Sequence, residues 1–134
     1  MGIQDTNSPL HEALAGGVHA VAFTVGSESG NAITPICQLQ DEYGNDLGTR
    51  AACAYYVSDD ANGDSVAATA PSGGIAVGTD GVLQEWTANL SGLATSESDG
   101  DIDITITQTG VDTFYLVFVL ASGKLAASGA ITFS

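Results

Sequence analysis

Residues 101–134 carry the clearest alternation of apolar and polar positions in the chain. Residues 101–108 read DIDITITQ, with isoleucine at every second position before Gln, which predicts a half-buried strand. Residues 113–120 read TFYLVFVL and are apolar on both faces, so neither side of this second strand is designed for water. A turn at 121–124 leads to a last strand that ends at Phe133. The three strands predict an antiparallel meander whose apolar face needs a second layer.

The preceding chain supplies shorter segments of the same kind, separated by glycine-rich turns. Residues 1–15 lack strand alternation and are predicted to form an N-terminal arm. Residues 59–81 are the loosest stretch and are predicted to cross between two sheets. The whole pattern predicts an all-β fold, an antiparallel β-sandwich of about seven to eight short strands over residues 16–134. Earlier strands are predicted at 18–25, 33–40, 51–58 and 82–88, with shorter ones near 65–68 or 75–77 and at 93–96.

Charge is the outlier of the composition. The 134 residues are 44% hydrophobic and include 17 glycines, as expected for a compact β-protein, yet 16 acidic residues stand against Arg50 and Lys124 alone. The formal net charge of −14 excludes binding to the outside of a nucleic acid, because no basic patch exists to displace counterions. Anionic membrane surfaces are excluded for the same reason. Such a charge favours solubility and repels like copies at a distance.

Groups that could carry catalysis are sparse. His11 lies in the arm and His19 at the edge of the first strand, and neither has the spacing that would place a base beside Cys37 or Cys53. The two cysteines lie on neighbouring predicted strands and are interpreted either as buried thiols or as a disulfide. The sequence therefore predicts no catalytic residue, no cofactor and no enzyme.

Calcium is the one ligand that the acidic clusters suggest. The segments DDANGD at 59–64 and ESDGD at 97–101 place carboxylate oxygens at alternate positions, which suits a hard cation. Neither segment follows the EF-hand order, and turn chemistry explains both without an ion. The candidate ligands are Asp60, Asp64, Asp99 and Asp101.

The segment ICQLQDEYGNDL at 36–47 resembles a strand and corner of bacterial Ig-like domains, in which a D-x-x-G-N-x-L run forms a tight polar turn. Gly44 and Asn45 are residue types that tolerate the positive φ of such a turn. From His11 onward, segments such as YYVSDDANGDS, SESDGDIDITIT and FYLVFVLASGKLAASGAITF resemble small proteins encoded among the structural genes of tailed bacteriophages. This resemblance implies an Ig-like β-sandwich that serves as a capsid decoration (cement) protein or another particle component, and it brings no enzymatic motif.

The apolar residues of 113–120 exceed what one core face needs. If the even-numbered residues of this strand face the core, the odd-numbered ones face outward, or the reverse, and an exposed apolar patch usually marks a protein interface. One tyrosine of the third strand should join this surface, because that strand and the penultimate one share a sheet in an Ig-like fold. The alternative is that the arm or the 59–81 loop covers this face within one subunit. The interface candidates are Tyr55, Tyr56, Tyr115, Val117 and Val119.

The first functional hypothesis is a non-enzymatic structural protein of a phage particle. It would be a capsid decoration protein, made in the host cytoplasm, that stabilises the head from the capsid surface. Its partners would be the major capsid protein and copies of itself, with a trimer as the expected homo-oligomer. The arm residues expected to contact the capsid are Ile3, Pro9, Leu10, His11 and Leu14.

The second hypothesis is an Ig-like carbohydrate- or receptor-binding module of a phage tail or bacterial surface. It predicts an exposed aromatic platform around Trp86 or Tyr43 and a soluble ligand. Screening against glycans separates the two hypotheses.

Overall fold

The computed structural model describes residues 17–134, which form two antiparallel β-sheets packed face to face. The expected all-β sandwich is confirmed, and residues 17–134 contain no helix. The strand segments are β1 (Ala20–Thr24), β2 (Ala32–Ile33), β3 (Ile36–Gln40), β4 (Ala52–Ser58), β5 (Gly74–Val77), β6 (Val82–Thr87), β7 (Ser91–Thr95), β8 (Asp101–Thr107), β9 (Asp112–Val119), β10 (Leu125–Ala127) and β11 (Ile131–Phe133).

The smaller sheet is centred on β8. The three isoleucines of β8 are fully buried, whereas its aspartates and threonines lie on the outer face. β5 pairs with one edge of β8, and β2 and β3 pair with the other edge in one continuous register, Ile33 opposite Ile106 and Ile36 opposite Asp103. β1 completes the sheet beside β3. The alternation of 101–108 is therefore the division between core and solvent.

The larger sheet is centred on β9. β4 pairs with one edge of β9, and β10 and β11 pair with the other, while β7 and β6 extend the sheet beyond β4. Phe114, Leu116 and Phe118 of β9 are buried in the core. Phe118 meets Phe23 of β1 edge to face, with ring centroids 5.8 Å apart, so aromatic packing joins the two sheets.

The strand order is that of an Ig-like sandwich. The smaller sheet runs β1-β3-β8-β5 and the larger runs β10-β9-β4, which correspond to the A-B-E-D and G-F-C sheets of the immunoglobulin fold. The hairpin of β6 and β7 is inserted between β5 and β8 and adds two strands beside β4. The expectation that the third and penultimate predicted strands share a sheet is confirmed, since β4 pairs with β9.

The strand segments outnumber the expected seven to eight strands, partly because two strands are interrupted. Pro35 divides the strand predicted at 33–40 into β2 and β3, since proline has no N–H for the ladder, although its carbonyl still accepts from the Ile104 N–H. The last strand is divided between β10 and β11 at Ser128, whose hydroxyl accepts the Leu116 N–H at 3.0 Å.

The antiparallel meander expected for residues 101–134 is wrong. β8 lies in the smaller sheet and β9 in the larger, so residues 108–111 cross from one layer to the other. The alternation shows which side chains of a strand face the core, and it is the same whether the strand lies in the smaller or the larger sheet. The sheet to which β8 belongs is decided by its main-chain hydrogen bonds, which join it to β3 and β5 and not to β9.

The corner after β3 forms the expected tight polar turn. The Asp41 carboxylate accepts the N–H groups of Tyr43 and Asn45, each at 2.9 Å. Of the two residues that tolerate positive φ, Gly44 adopts it, at 80°, and Asn45 does not. Leu47 then returns to the core, where it is buried.

Candidate interaction surface

Alternate residues of five strands form the outer face of the larger sheet. One row across the sheet runs from Leu125 through Val119, Ala54 and Leu93 to Gln84, each residue opposite the next in the strand register. A second row places Ala52 and Val82 on the same face, on either side of Thr95. The apolar residues of these rows are called the outer belt: Ala52, Ala54, Val82, Leu93, Val119 and Leu125.

The outer belt lies on the opposite side of the sheet from the core. Its strand neighbours Cys53 and Ala94 are buried in the core, so the belt residues between them point away from it. Val82 is 49% exposed and Leu125 is 42% exposed, while Leu93 and Val119 are half-buried. This apolar strip adds nothing to the packing between the sheets, and it is the kind of surface that a partner buries.

The two outer faces of the sandwich differ in chemistry. Every outward position on β4, β7, β9 and β10 and at Val82 and Gln84 of β6 is uncharged, although the chain contains 16 acidic residues. The outer face of the smaller sheet instead carries Gln38, Asp101 and Asp103 beside the exposed Ile36. The two faces therefore differ in charge, since carboxylates interrupt the face of the smaller sheet and none interrupts the belt.

Charges lie beyond the two ends of the belt. Arg50 lies two residues before β4, where its guanidinium donates to the Ser96 carbonyl at 3.1 Å, and Lys124 immediately precedes β10. The register of Leu125, Val119 and Ala54 places both strand starts at one end of the sheet. The other end, where β4 stops, carries the acidic segment 59–64. The uncharged face thus lies between an end that holds both Arg50 and Lys124, with Glu97 nearby, and an end that holds the carboxylates of the cap.

Residues 59–67, called the cap, fold over the acidic end of this face. The Tyr56 hydroxyl donates to the Gly63 carbonyl, and a Cβ at Gly63 would lie 3.1 Å from both methyl groups of Val117. Asp60 holds the cap in shape, because its carboxylate accepts the N–H groups of Asn62 at 2.9 Å and Asp64 at 3.0 Å. Val117 consequently has no exposed surface, although it points away from the core.

The interface candidates predicted from the sequence lie in different environments in the structure. Tyr115 and Val119 lie half-buried on the outer face, but Val117 is covered by the cap, so the alternative in which the 59–81 loop covers this face holds at Val117. Tyr55 points into the core with 1% of its surface exposed, and Tyr56 joins the outer face beneath the cap. Sequence reasoning missed the belt residues of β4, β6, β7 and β10. The available signal was that residues alternating with buried positions on these strands are themselves apolar.

The calcium candidates do not converge. Residues 17–134 contain no group of three or more His, Cys, Asp or Glu side chains placed to hold a metal ion. The Asp60 carboxylate is occupied by the cap, and the Asp99 carboxylate accepts the Asp101 N–H at 3.1 Å. Both acidic segments are therefore turns closed by their own carboxylates, as turn chemistry alone would make them. The arm candidates Ile3, Pro9, Leu10, His11 and Leu14 lie outside the described residues.

Both cysteines are free thiols inside the sandwich. Cys37 lies in the smaller sheet and Cys53 in the larger, each on a core-facing position. Burial raises the pKa of Cys53 to about 11, and burial together with the carboxylates of Asp101 and Asp103 raises that of Cys37 further. A thiol held protonated in this way is a small core hydrophobe rather than a nucleophile.

The two aromatic residues proposed for a glycan platform are exposed but far apart in the fold. Trp86 is 65% exposed and is the extra residue of a β-bulge between Glu85 and Thr87. Tyr43 is 80% exposed in the corner after β3. The corner adjoins the start of β8, whereas the hairpin carrying Trp86 reaches Ile75 beside the end of β8. The two rings therefore form no common platform.

No protein family, curated protein or solved structure matched this chain. Within residues 17–134 the fold contains no pocket. Nor does this part of the chain form a helix long and apolar enough to cross a membrane.

Two aspartates on the outer face of the smaller sheet have opposite electrostatic environments. Burial, the neighbouring Asp80 carboxyl and the charges of Asp99 and Asp103 raise the pKa of Asp101, whose buried Oδ1 has no hydrogen-bond partner among the described residues. Burial also acts to raise the pKa of Asp103. Hydrogen bonds from the Asp80 N–H at 2.8 Å and the Thr79 hydroxyl at 2.9 Å outweigh it, and that pKa is lowered.

We expect Asp101→Asn and Asp103→Asn to shift the melting temperature in opposite directions at pH 7. The raised pKa of Asp101 means that ionisation costs stability above its ordinary pKa of about 4, so Asp101→Asn should raise the melting temperature at pH 7 and change little below pH ~4. The lowered pKa of Asp103 means that its carboxylate stabilises the fold above that pH, so Asp103→Asn should lower the melting temperature at pH 7. Thermal melts from pH 3 to 7 check both, and shifts of the same sign at pH 7 would contradict these environments.

Replacing each of the adjacent tyrosines with phenylalanine should have opposite effects on the free energy of unfolding. The Tyr55 hydroxyl is buried without a hydrogen-bond partner among the described residues, so Tyr55→Phe should stabilise the fold by about 1 kcal/mol. The Tyr56 hydroxyl holds the cap, so Tyr56→Phe should destabilise it by about 1 kcal/mol and expose Val117. Urea unfolding measures both values, and a stabilising Tyr56→Phe would show that the cap does not depend on this bond.

Proposed function

We propose that this chain is a non-enzymatic structural protein of a phage particle, a capsid decoration protein that stabilises the head from its outer surface. The observation that carries the proposal is the outer belt, an uncharged apolar face on a protein of net charge −14. A chain with so many carboxylates could place one at any outward strand position, and the belt has none. The resemblance to small structural proteins of tailed phages supplies the particle as the setting.

The mechanism is the addition of buried apolar area at junctions on the capsid surface. Each 100 Å² of apolar surface removed from water contributes about 2.5 kcal/mol before the costs of association. The belt is the contact between neighbouring copies of this chain, and the arm, residues 1–15, is the attachment to the major capsid protein. Two modest contacts on one chain reinforce each other, because the first raises the local concentration of the second.

The carbohydrate-binding alternative receives less support from the geometry. Stacking on a sugar is favoured where aromatic rings lie together with hydrogen-bonding groups in a concave site. Trp86 and Tyr43 lie at opposite ends of the sandwich, and residues 17–134 contain no pocket around either of them. The uncharged belt is apolar rather than polar, which suits a protein surface.

Particle association can be measured by sedimenting purified phage heads with added protein and quantifying the bound fraction. The wild-type chain should co-sediment at a fixed stoichiometry to the major capsid protein, and deletion of residues 1–15 should abolish binding while the fold is retained. Val82→Asp should weaken binding about tenfold, because it places a carboxylate in the belt.

The matched control is Val111→Asp, which introduces the same charge at a residue that is 86% exposed in the connection between β8 and β9 and lies outside the belt. It should bind like the wild type. Undiminished binding of both the arm deletion and Val82→Asp, or no wild-type binding to heads at all, would contradict the proposal.

A further inference from the structure

We infer that a second copy of this chain packs on the outer belt by two-fold symmetry, with its strands running antiparallel to those of the first copy. The inference rests on the proposed function for the belt's role as a contact between copies, and it deepens that function by giving the symmetry of the contact and the orientation of its strands. Three features of the described residues carry it: the charge of the surfaces, the self-complementarity of the belt and the position of the cap.

Charge selects which surface of a second copy can meet the belt. An unpaired carboxylate buried against apolar side chains costs several kcal/mol of solvation, so a carboxylate-bearing surface is a poor partner for the belt. The outer face of the smaller sheet carries Asp101 and Asp103, and the cap carries Asp60 and Asp64. The belt itself has no charged residue. Belt against belt is therefore the contact between sheet faces that leaves every carboxylate in water.

A belt-to-belt contact uses the same surface on both copies, which is the definition of an isologous interface. A two-fold axis generates such an interface and closes it at two subunits. A three-fold ring requires the belt to meet a second, different surface, and the outer face of the smaller sheet and the cap both carry carboxylates. The expected trimer is therefore replaced by a two-fold pair as the form that the belt supports.

A two-fold axis can lay one sheet on the other with the strands of the two copies parallel or antiparallel, and the position of the cap favours the antiparallel arrangement. Both caps stand at the end of the sheet where β4 stops, and Gly63 lies directly over Val117. With strands parallel across the interface, cap would meet cap, which brings carboxylates together and holds the belts apart. With strands antiparallel about an axis at Cys53, belt meets belt and each cap lies beyond the start of β4 in the other copy, clear of the belt.

The antiparallel arrangement also pairs opposite charges. An axis that crosses β4 at Cys53, between the belt residues Ala52 and Ala54, lays belt on belt and places Arg50 of each copy opposite Tyr56 of the other, where the acidic cap lies. Asp64 is the cap residue best suited to this role, because its main chain, and not its carboxylate, holds the cap in shape. A pair at the rim of an interface fixes orientation more than it adds affinity.

The first experiment measures the molecular mass of the purified full chain by sedimentation velocity over a range of concentrations at about 0.15 M salt, where charges more than ~8 Å apart are screened. The wild type should pass from monomer to dimer. Leu125→Glu should raise the dimer dissociation constant at least tenfold, since it puts a carboxylate into the belt. Ile36→Glu is the matched control, because Ile36 is 46% exposed against 42% for Leu125 but lies on the outer face of the smaller sheet. It should leave the dissociation constant within about twofold of wild type, while melting curves show that both variants are folded.

The second experiment tests the orientation by charge reversal. Arg50→Glu and Asp64→Lys should each weaken the dimer, and the double variant should recover most of the loss because the pair is restored with its signs exchanged. A strictly monomeric wild type, a trimer, or equal loss in Leu125→Glu and Ile36→Glu would overturn the two-fold belt contact. Single variants without effect, or a double variant that is weaker than either, would overturn the antiparallel arrangement.

These results are independent of particle binding. A dimer that does not bind phage heads would remove the proposed function and leave the belt contact standing. A chain that stays monomeric and still binds phage heads would overturn the belt contact and leave the proposed function standing.

Discussion

The packing of β9 against the smaller sheet is the contact on which the rest of the structure depends. Phe114, Leu116 and Phe118 are buried on its inner side, and each large side chain taken from water contributes about 2 kcal/mol. Phe118 reaches Phe23 across the interface between the sheets, and β9 pairs with β4 on one edge and with β10 and β11 on the other. Once β9 is in place, the register of the larger sheet decides which residues of every neighbouring strand face the core and which face outward. The belt positions face outward for this reason. Packing between the sheets does not explain why these outward positions are apolar.

The cap covers one apolar residue on the outer face of the larger sheet within the same chain. Val117 points outward from the same strand as Val119, yet Gly63 and the Tyr56 hydroxyl close over it. The absence of a side chain at Gly63 lets the cap approach the sheet this closely, and its φ of 76° suits glycine. The cap covers Val117, whereas Leu125 and Val82 on the same face stay 42% and 49% exposed. This difference is the observation from which the proposed contact with a partner is argued.

Alternation along the chain was enough to predict the sandwich and nearly every strand, because period-two patterns record the side of a sheet that meets the core. It could not assign layers, since β8 satisfies the same pattern whether β9 is beside it or across the core from it. Nor could it show that Val117 is covered, because that depends on where residues 59–67 return in space. The aspartate clusters were ambiguous in sequence for a similar reason: Asp60 and Asp99 look like ligands until their acceptors are seen to be filled by main-chain N–H groups. Most of the belt was missed because small residues such as Ala54 draw no attention until the register aligns them with Leu93 and Val119.

The central claim is that the open part of the outer face is buried when the protein assembles. Paramagnetic relaxation of methyl resonances by a soluble agent tests this residue by residue in the unmodified chain. On going from dilute to concentrated protein, the methyl groups of Val82, Leu93, Val119 and Leu125 should lose their relaxation enhancement, while those of Ile36 and Val111 should keep it. Enhancement that persists at the belt while the protein associates, or protection that develops at Ile36 instead, would contradict the account.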